Sequence, residues 1–299
     1  MKCVEQDIGP TWALYQGDCV DVLRGIPDSS VDYSIFSPPF ESLYTYSNSP
    51  RDMGNCKDSE QFFEHFGFLL EQLRRVMAPC RDVSVHCMLL PTSKVKHGVI
   101  GLRDFRGEII RAFEAYGFIH HSEVVIWKDP VTAMQRTKAL GLLHKTVREN
   151  ASMSRQGIPD YLVTFRSPGE IVERVTHAAE DYPVGHWQKI ASPVWMDIDP
   201  NDTLQYRSAR EHDDERHICP LQLEVIRRGI DLWTNAGDVV LSPYAGIGSE
   251  GHVATQMGRK FVGVELKGSY YQQAKQNLRA SIDQQDLFAA LDAERGQCA

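Results

Sequence analysis

Short apolar runs alternate along the chain with longer stretches in which apolar positions recur at helical spacing. The run Val31–Phe36 predicts a buried strand that stops at two consecutive prolines, and the stretch 61–77 predicts an amphipathic helix. The same criteria predict strands at 82–90, 123–127, 161–165, 238–242 and 261–265, and helices at 108–116, 221–233, 250–257 and 269–280. This alternation is typical of an α/β fold, in which a mostly parallel, twisted sheet carries helices on both faces.

Two parts of the chain have weak periodicity. Residues 128–156 combine few acidic residues with a set of basic ones, namely Lys128, Arg136, Lys138, Lys145, Arg148 and Arg155. Residues 166–216 are irregular and contain Trp187 and Trp195. Because long irregular stretches within a compact domain usually have a function, we interpret 128–156 as a basic loop and 166–216 as an insertion. Both would belong to one domain spanning residues 1–299.

Composition narrows the classes of protein that fit this pattern. The chain has a formal net charge of -8 and a pI near 5.8, which argues against non-specific coating of nucleic acid. Its 7 cysteines form no CxxC pair, which suits reduced thiols in a cytoplasmic protein. His86-Cys87 and His120-His121 lack the spacing of metal ligands, so we assign them structural roles and expect no metal. We also expect neither a secretory leader nor a membrane span.

A glycine-rich turn at residues 242–251 follows one predicted strand and opens a helix. Gly246 and Gly248 would let the backbone approach a ligand closely, and Glu265 at the end of the next strand could accept both hydroxyls of a ribose. The turn has neither a third glycine at the dinucleotide offset nor a P-loop lysine. A nucleoside cofactor without a pyrophosphate is therefore favoured, and S-adenosylmethionine is the common one.

The corner Ser37-Pro38-Pro39-Phe40 lies just past the carboxyl end of a predicted strand, where ligands bind in open α/β sheets. The prolines stiffen the corner, so that it presents a hydroxyl, a main-chain carbonyl and an aromatic ring. Such a group can accept hydrogen bonds from both protons of an NH2 group and stack on its ring. The alternative is a simple strand terminator with Phe40 in the core.

Together these motifs resemble the β-class of DNA amino-methyltransferases. Its catalytic motif is [D/N/S]PP[Y/F/W], its cofactor motif is of the type DPFxGxGT, and the catalytic motif comes first in the chain, as it does here. Gly17-Asp18 resembles the family's GD motif, and residues 217–223 resemble its HPxQKP element. The resemblance implies a Rossmann-like, circularly permuted methyltransferase fold that binds S-adenosylmethionine. The wider segment around Arg51 is similar to phage and prophage members that act without a partner nuclease.

The resemblance also implies roles for individual residues. The catalytic residues would be Ser37, Pro38, Pro39 and Phe40. The cofactor residues would be Asp18, Ser242, Pro243, Tyr244, Gly246, Gly248, Ser249, Glu265, Leu266, His217 and Gln222. The DNA-binding residues would be Tyr44, Tyr46, Arg51, Lys128, Arg136, Lys138 and Arg148. Ser242, Ser249 and Leu223 depart from the usual Asp, Thr and Lys. The lost carboxylate at Ser242 would either lower the affinity for the cofactor or be replaced by another acid, such as Asp238.

The expected reaction is methylation of the exocyclic N6 of an adenine flipped out of double-stranded DNA. N4 methylation of cytosine is the alternative within the family, because a neutral serine is the usual choice of those enzymes. Outside the family, an RNA or protein-amide methyltransferase and a non-catalytic DNA-binding regulator stay open. The partner would be duplex DNA, with a homodimer left open.

Overall fold

The computed structural model describes residues 2–40, 52–137, 139–205 and 220–297. The predicted site residues Tyr44, Tyr46, Arg51, Lys138 and His217 lie outside the described residues.

One large sheet organises the described part of the chain. Its strands, with those of a separate hairpin, are β1 (Glu5–Ile8), β2 (Trp12–Gln16), β3 (Val31–Phe36), β4 (Met77–Met88), β5 (Leu90–Thr92), β6 (Gly101–Arg103), β7 (Ile119–Ile126), β8 (Asp160–Arg166), β9 (Val194–Trp195), β10 (Val239–Ser242) and β11 (Lys260–Glu265). The large sheet has the order β1-β2-β11-β10-β3-β4-β8-β7-β9, while β5 pairs with β6. Strands β2, β11, β10, β3 and β4 are parallel neighbours, whereas β8 is antiparallel to β4 and β7.

Helices cover both faces of this sheet, as the sequence predicts. They are α1 (Cys19–Leu23), α2 (Ser59–Val76), α3 (Lys94–His97), α4 (Phe105–Ala115), α5 (Pro130–Thr137), α6 (His144–Glu149), α7 (Val184–Ile190), α8 (Leu223–Trp233), α9 (Ser249–Gln256) and α10 (Gly268–Gln297). Helices α1, α2 and α4 share one apolar core with β3 and β4, and α8, α9 and α10 share a second with β10 and β11. None of the helices in these described ranges is long and apolar enough to cross a membrane.

Local sequence accounts for the main boundaries. Helix α2 begins where the Asp58 carboxylate accepts a hydrogen bond from Gln61 N at 2.9 Å, and its buried side chains recur at helical spacing. The predicted strand Val31–Phe36 is confirmed without a change of bounds. The predicted element at 108–116 is longer and begins at Phe105, because Asp104 caps it through Gly107 N at 2.9 Å.

Several elements depart from the predictions. The pair β1 and β2 and the short helix α1 have no predicted counterpart, and residues 128–156 contain helices α5 and α6 rather than only a loop. Within 166–216, β9 joins the edge of the main sheet as a parallel neighbour of β7. Part of the expected insertion therefore completes the sheet.

Helix α8 packs so closely on β3 that one of its positions excludes even a methyl group. A Cβ at Gly229 would lie 2.6 Å from Tyr33 Oη, whereas a Cβ at the exposed Gly185 in α7 would meet nothing within 4 Å. We expect Gly229→Ala to lower the free energy of unfolding by about 1–3 kcal/mol through overpacking. The matched Gly185→Ala should leave it unchanged or raise it by up to about 1 kcal/mol. Chemical denaturation measures both, and equal effects would contradict this packing.

Candidate active site

A cleft opens where the carboxyl ends of the parallel strands β2, β3, β10 and β11 meet at one edge of the sheet. Parallel strands place their following loops side by side, which is why ligands bind at this edge in open α/β sheets. The cleft brings together residues from distant parts of the chain: Gly17, Asp18, Cys19, Ser37, Pro38, Pro39, Phe40, Asp52, Met53, Pro220, Leu221, Pro243, Tyr244, Ala245, Gly246, Ile247, Ser249, Glu250, Val264, Glu265, Leu266, Lys267 and Tyr270. Both predicted motifs thus line one cavity.

The glycine-rich turn is fixed against the end of β11. Gly246 and Gly248 have φ angles of 52° and 85°, in the left-handed region that favours glycine. Gly246 N donates to Glu265 Oε2 at 2.8 Å, and Ala245 N donates to Val264 O at 2.8 Å. A Cβ at Gly248 would approach Ala274 Cβ to 3.2 Å, so helix α10 also closes on the turn. The main chain of the turn therefore lines the cleft in a defined conformation.

Glu265 is the last residue of β11, and each of its two carboxylate oxygens accepts a main-chain hydrogen bond. Its second oxygen, Oε1, accepts a hydrogen bond from Lys267 N at 2.8 Å. Burial raises the pKa of Glu265 to about 7, although the N–H groups of Lys267 and Gly246 oppose that shift, and the negative charge of Asp52 adds to it. The carboxyl group lines the cleft, and its ionisation costs free energy when no cationic ligand is bound beside it.

Further carboxylates line the same cleft. Asp18 accepts a hydrogen bond from Asp21 N at 3.0 Å and so caps α1, and Asp52 accepts one from Gly54 N at 2.8 Å. Glu250, in the first turn of α9, is buried, and this burial raises its pKa to about 8. Such a concentration of acidic groups favours a ligand that carries positive charge.

The residues present fit S-adenosylmethionine, whose sulfonium and ammonium groups are cationic. Ser249 lines the cleft, and its hydroxyl is buried without a hydrogen-bond partner, so a polar group close to the cleft is left unsatisfied. The Ser242 hydroxyl, at the end of β10, is likewise buried and unpartnered. Gln222 lies next to the cleft residue Leu221, and its Oε1 is also buried without a partner.

The expectation that Asp238 replaces the carboxylate lost at Ser242 is wrong. Asp238 precedes β10 and so lies at the amino end of that strand, away from the cleft. Its Oδ2 accepts hydrogen bonds from Arg81 at 2.8 Å and from Asn235 N at 2.8 Å. Within the glycine-rich turn itself, the acid that lies in the cleft is Glu250. The sequence carries a signal for it, because a glutamate directly follows Ser249 in the motif.

The Ser-Pro-Pro-Phe corner follows β3 and lines the same cleft. Ser37 Oγ lies 2.9 Å from His86 Nδ1, at hydrogen-bonding distance. The Phe40 ring is partly buried and meets the His86 ring edge-on, with centroids 6.3 Å apart. Phe40 therefore both packs against the core and lines the cleft. Across the cleft, Tyr244 Oη donates to Met53 Sδ at 3.0 Å.

Charged residues stand behind the corner. His86 Nε2 lies 3.2 Å from Asp160 Oδ2, and Lys128 Nζ donates to Asp160 Oδ1 at 2.6 Å. Burial would raise the pKa of Asp160, but His86 and Lys128 outweigh it and hold the pKa below its usual range. Sequence reasoning assigned only a structural role to His86 and placed Lys128 on DNA. Their proximity to Ser37 depends on strand pairing, which local pattern does not reveal.

The other predicted residues are distributed over the fold. Pro243, Tyr244 and Leu266 line the cleft with the turn. Arg136 lies in α5, and Arg148 is exposed in the last turn of α6. Among the described side chains, no three His, Cys, Asp or Glu residues are grouped so that they could hold a metal ion.

The buried acid Glu250 should make stability depend on pH. Its pKa is about 8 in the folded protein against an ordinary value of 4.5, so the folded state binds more protons between these values. Stability is therefore lost as pH rises from about 4.5 to about 8. We expect Glu250→Gln to raise the melting temperature of the cofactor-free protein at pH 9 and to change it little at pH 5. Exposed Glu149→Gln is the control, and equal shifts at both pH values would contradict the assignment.

Comparison with known proteins identifies the family. Residues 31–276 match the N6/N4 family model described as DNA methylase. The chain is 28% identical over 268 residues to the DNA adenine methyltransferase YhdJ of Escherichia coli (strain K12), covering 86% of this chain and 79% of the relative.

Two solved structures share the fold, each with a TM-score of 0.66. One is a proposed DNA modification methylase from Thermus thermophilus in complex with S-adenosyl-L-methionine, 21% identical, covering 90% of this chain and 95% of that one. The other is the cytosine-N4-specific PvuII DNA methyltransferase, 15% identical, covering 92% and 90%. The predicted methyltransferase fold is confirmed. Because the family model covers most of its length, the chain belongs to the N6/N4 DNA methylase family, whose methyl donor is S-adenosylmethionine.

Proposed function

We propose that this protein is a site-specific methyltransferase that methylates the exocyclic N6 of an adenine flipped out of duplex DNA. The observation that carries this proposal is the meeting of two motifs in one cleft. The Ser-Pro-Pro-Phe corner forms one wall, and the glycine-rich turn with Glu265 forms the other. A target base and a cofactor placed against these walls would face one another, and such proximity supplies much of the rate of a group transfer.

We assign the cofactor to the acidic side of the cleft. Glu265 would accept the ribose hydroxyls, since its carboxylate lies at the end of β11 beside the turn. Asp18, at the start of α1, would accept the adenine amino group. The unpartnered Ser249 hydroxyl and the buried Glu250 carboxyl would receive the methionine portion. Membership of an enzyme family and the unpartnered Ser249 hydroxyl favour a catalytic protein over a DNA-binding regulator with a degenerate cofactor site.

When bound, the cofactor supplies an electrophilic methyl group. The Ser37 hydroxyl and the Pro38 carbonyl would accept hydrogen bonds from both protons of the target NH2. These bonds favour a tetrahedral nitrogen and stabilise the positive charge that develops on it. Extruding a base costs a few kcal/mol, and stacking on Phe40 would return about 1–3 kcal/mol.

Adenine is the base that we assign. The two acceptors require only an NH2 group, a purine offers more surface than a pyrimidine for stacking on Phe40, and the relative YhdJ is named as an adenine enzyme. Cytosine N4 is the second candidate. It is favoured by the neutral Ser37 in the corner and by the likeness of the fold to that of the PvuII methyltransferase, which is cytosine-N4-specific.

DNA would lie along the mouth of the cleft. We propose Arg136, Lys138 and Arg148 as phosphate contacts, because they cluster on an otherwise acidic chain. Tyr44, Tyr46 and Arg51 follow the corner and would line the base pocket. Residues 128–156 and 166–216 are the candidate target-recognition regions. Lys128 is a weaker candidate than the sequence suggests, since its ammonium is held by Asp160.

The cofactor assignment predicts that Glu265→Ala weakens binding of S-adenosylmethionine about thirtyfold, or about 2 kcal/mol, because a charged acceptor is lost. Isothermal titration calorimetry measures the affinity. Exposed Glu170→Ala is the control, and a melting curve of each variant checks that the turn still folds without the Gly246 contact. Unchanged affinity in Glu265→Ala would remove this residue from the site.

The base assignment predicts N6-methyldeoxyadenosine as the product. Duplex DNA incubated with the protein and cofactor is digested to nucleosides, which mass spectrometry distinguishes by mass and retention. Phe40→Ala should bind the cofactor normally but lose most turnover, since its ring is assigned to the base. N4-methyldeoxycytidine without N6-methyldeoxyadenosine would reject adenine and establish the second candidate.

A further inference from the structure

A continuous line of polar contacts runs from the catalytic corner into the sheet. Ser37 Oγ lies 2.9 Å from His86 Nδ1, His86 Nε2 lies 3.2 Å from Asp160 Oδ2, and Asp160 Oδ1 accepts from Lys128 Nζ at 2.6 Å. The line crosses three strands, because His86 is near the end of β4, Asp160 begins β8 and Lys128 follows β7. The side chains of His86 and Asp160 are only 11% and 5% exposed, so bulk water does not replace these contacts.

The charges along this line fix where the protons lie. His86, when it is protonated, and Lys128 hold the pKa of Asp160 low against the effect of burial, and Lys128 stays paired with this carboxylate when His86 is neutral. The charge of the Asp160 carboxylate, 3.2 Å from Nε2 but not aligned with it as a hydrogen bond, favours the tautomer with the proton on that nitrogen. The lone pair of Nδ1 then faces Ser37 and accepts a hydrogen bond from its hydroxyl group. The serine oxygen keeps its own lone pairs for the target amino group.

Methylation of an amino nitrogen leaves a proton that must be removed. A serine hydroxyl accepts hydrogen bonds but is too weak a base to keep that proton, whereas imidazole has a pKa near neutrality. We propose that His86 is the terminal proton acceptor of the reaction, reached through the Ser37 hydroxyl and supported by Asp160. This inference rests on the proposed function and adds a base to it.

The step balances in atoms and charge. The nitrogen–carbon bond forms as the carbon–sulfur bond of the sulfonium breaks, which leaves a positively charged methylated amino group and a neutral thioether. That group gives one proton to Ser37 Oγ, and the Ser37 hydroxyl gives its own proton to His86 Nδ1. The products are a neutral methylated base, an unchanged serine and an imidazolium paired with the Asp160 carboxylate. The imidazolium later loses its proton to solvent.

The charged surroundings of His86 are compatible with this cycle. Ser37 and the Phe40 ring contact it from the corner, and Asp160 and Lys128 face it from β8 and the end of β7. Next to Asp160, the buried thiol of Cys87 lies near Arg106 and Glu123, which pair with each other at 2.7 Å. The step requires a neutral His86 that can accept a proton, so any dependence of the rate on pH that comes from this residue should disappear when His86 is replaced.

Single-turnover methyl transfer into duplex DNA, measured across pH, tests the proposal. The informative variant is His86→Asn, whose side-chain oxygen can occupy the place of Nδ1 and accept from Ser37 but cannot take up a proton. We expect His86→Asn and His86→Leu to be at least about 100-fold slower than the wild type, with a flattened pH profile and unchanged cofactor affinity. His86→Asn with the rate and pH profile of the wild type would overturn the proposal and leave His86 a positioning residue.

A second measurement needs no turnover. Histidine ring resonances are recorded by NMR at neutral pH in the cofactor-free protein, and the signal that His86→Asn lacks identifies His86. Asp160→Asn and Lys128→Met should each move this signal, because both substitutions change the charge close to the ring. A His86 signal that neither variant moves would remove Asp160 and Lys128 from the mechanism.

The two proposals fail in different ways. A wild-type protein that binds the cofactor but transfers no methyl group to duplex DNA would overturn the proposed function, and with it the role of His86 as proton acceptor. A wild-type protein that methylates DNA while His86→Asn does so equally well overturns only the role of His86.

Discussion

The parallel alignment of β3, β10 and β11 is the constraint on which the cleft depends. Leu241 pairs with Ser34 on one side and with Val262 on the other, and Ser34 Oγ donates to Leu241 O at 2.9 Å across 207 positions of sequence. This register makes the three strands end at nearly the same level. The corner, the glycine-rich turn and Glu265 all follow these ends directly, so a shift of one residue would turn alternate side chains to the other face and separate the groups.

The same geometry explains why acidic groups can be concentrated in the cleft. Main-chain N–H groups at the turn partly neutralise Glu265, and the main-chain N–H groups of Asp21 and Gly54 donate hydrogen bonds to Asp18 and Asp52. Glu250 lacks comparable support and has the higher pKa. The cleft is thus strained electrostatically, and a cationic ligand would relieve that strain. Buried carboxyl groups of this kind lower the folding stability of the cofactor-free protein, which is common at functional sites.

Sequence patterns predict the parts of the fold that depend on residues close together in the chain. Apolar runs and capping residues locate β3, β10, β11, α2 and α8, and the motifs locate both walls of the cleft. The pattern fails for β1 and β2, which are short and mostly half-exposed, and for α5 and α6, whose apolar residues are few and largely exposed. The pattern also does not predict that His86 lies beside Asp160. Their proximity depends on the antiparallel register of β4 and β8, in which Cys87 pairs with Tyr161.

The contact between Ser37 and His86 also bears on why a neutral residue can occupy the first position of the corner. An aspartate there would add another carboxyl group to a cleft that already holds those of Asp18, Asp52, Glu250 and Glu265. Like charges in a poorly solvated site raise one another's pKa and disfavour ionisation. A serine avoids this conflict but is a poor base. In the proposed mechanism, the imidazole of His86 supplies the basic group outside the acidic cleft, where the carboxylate of Asp160 would stabilise the imidazolium.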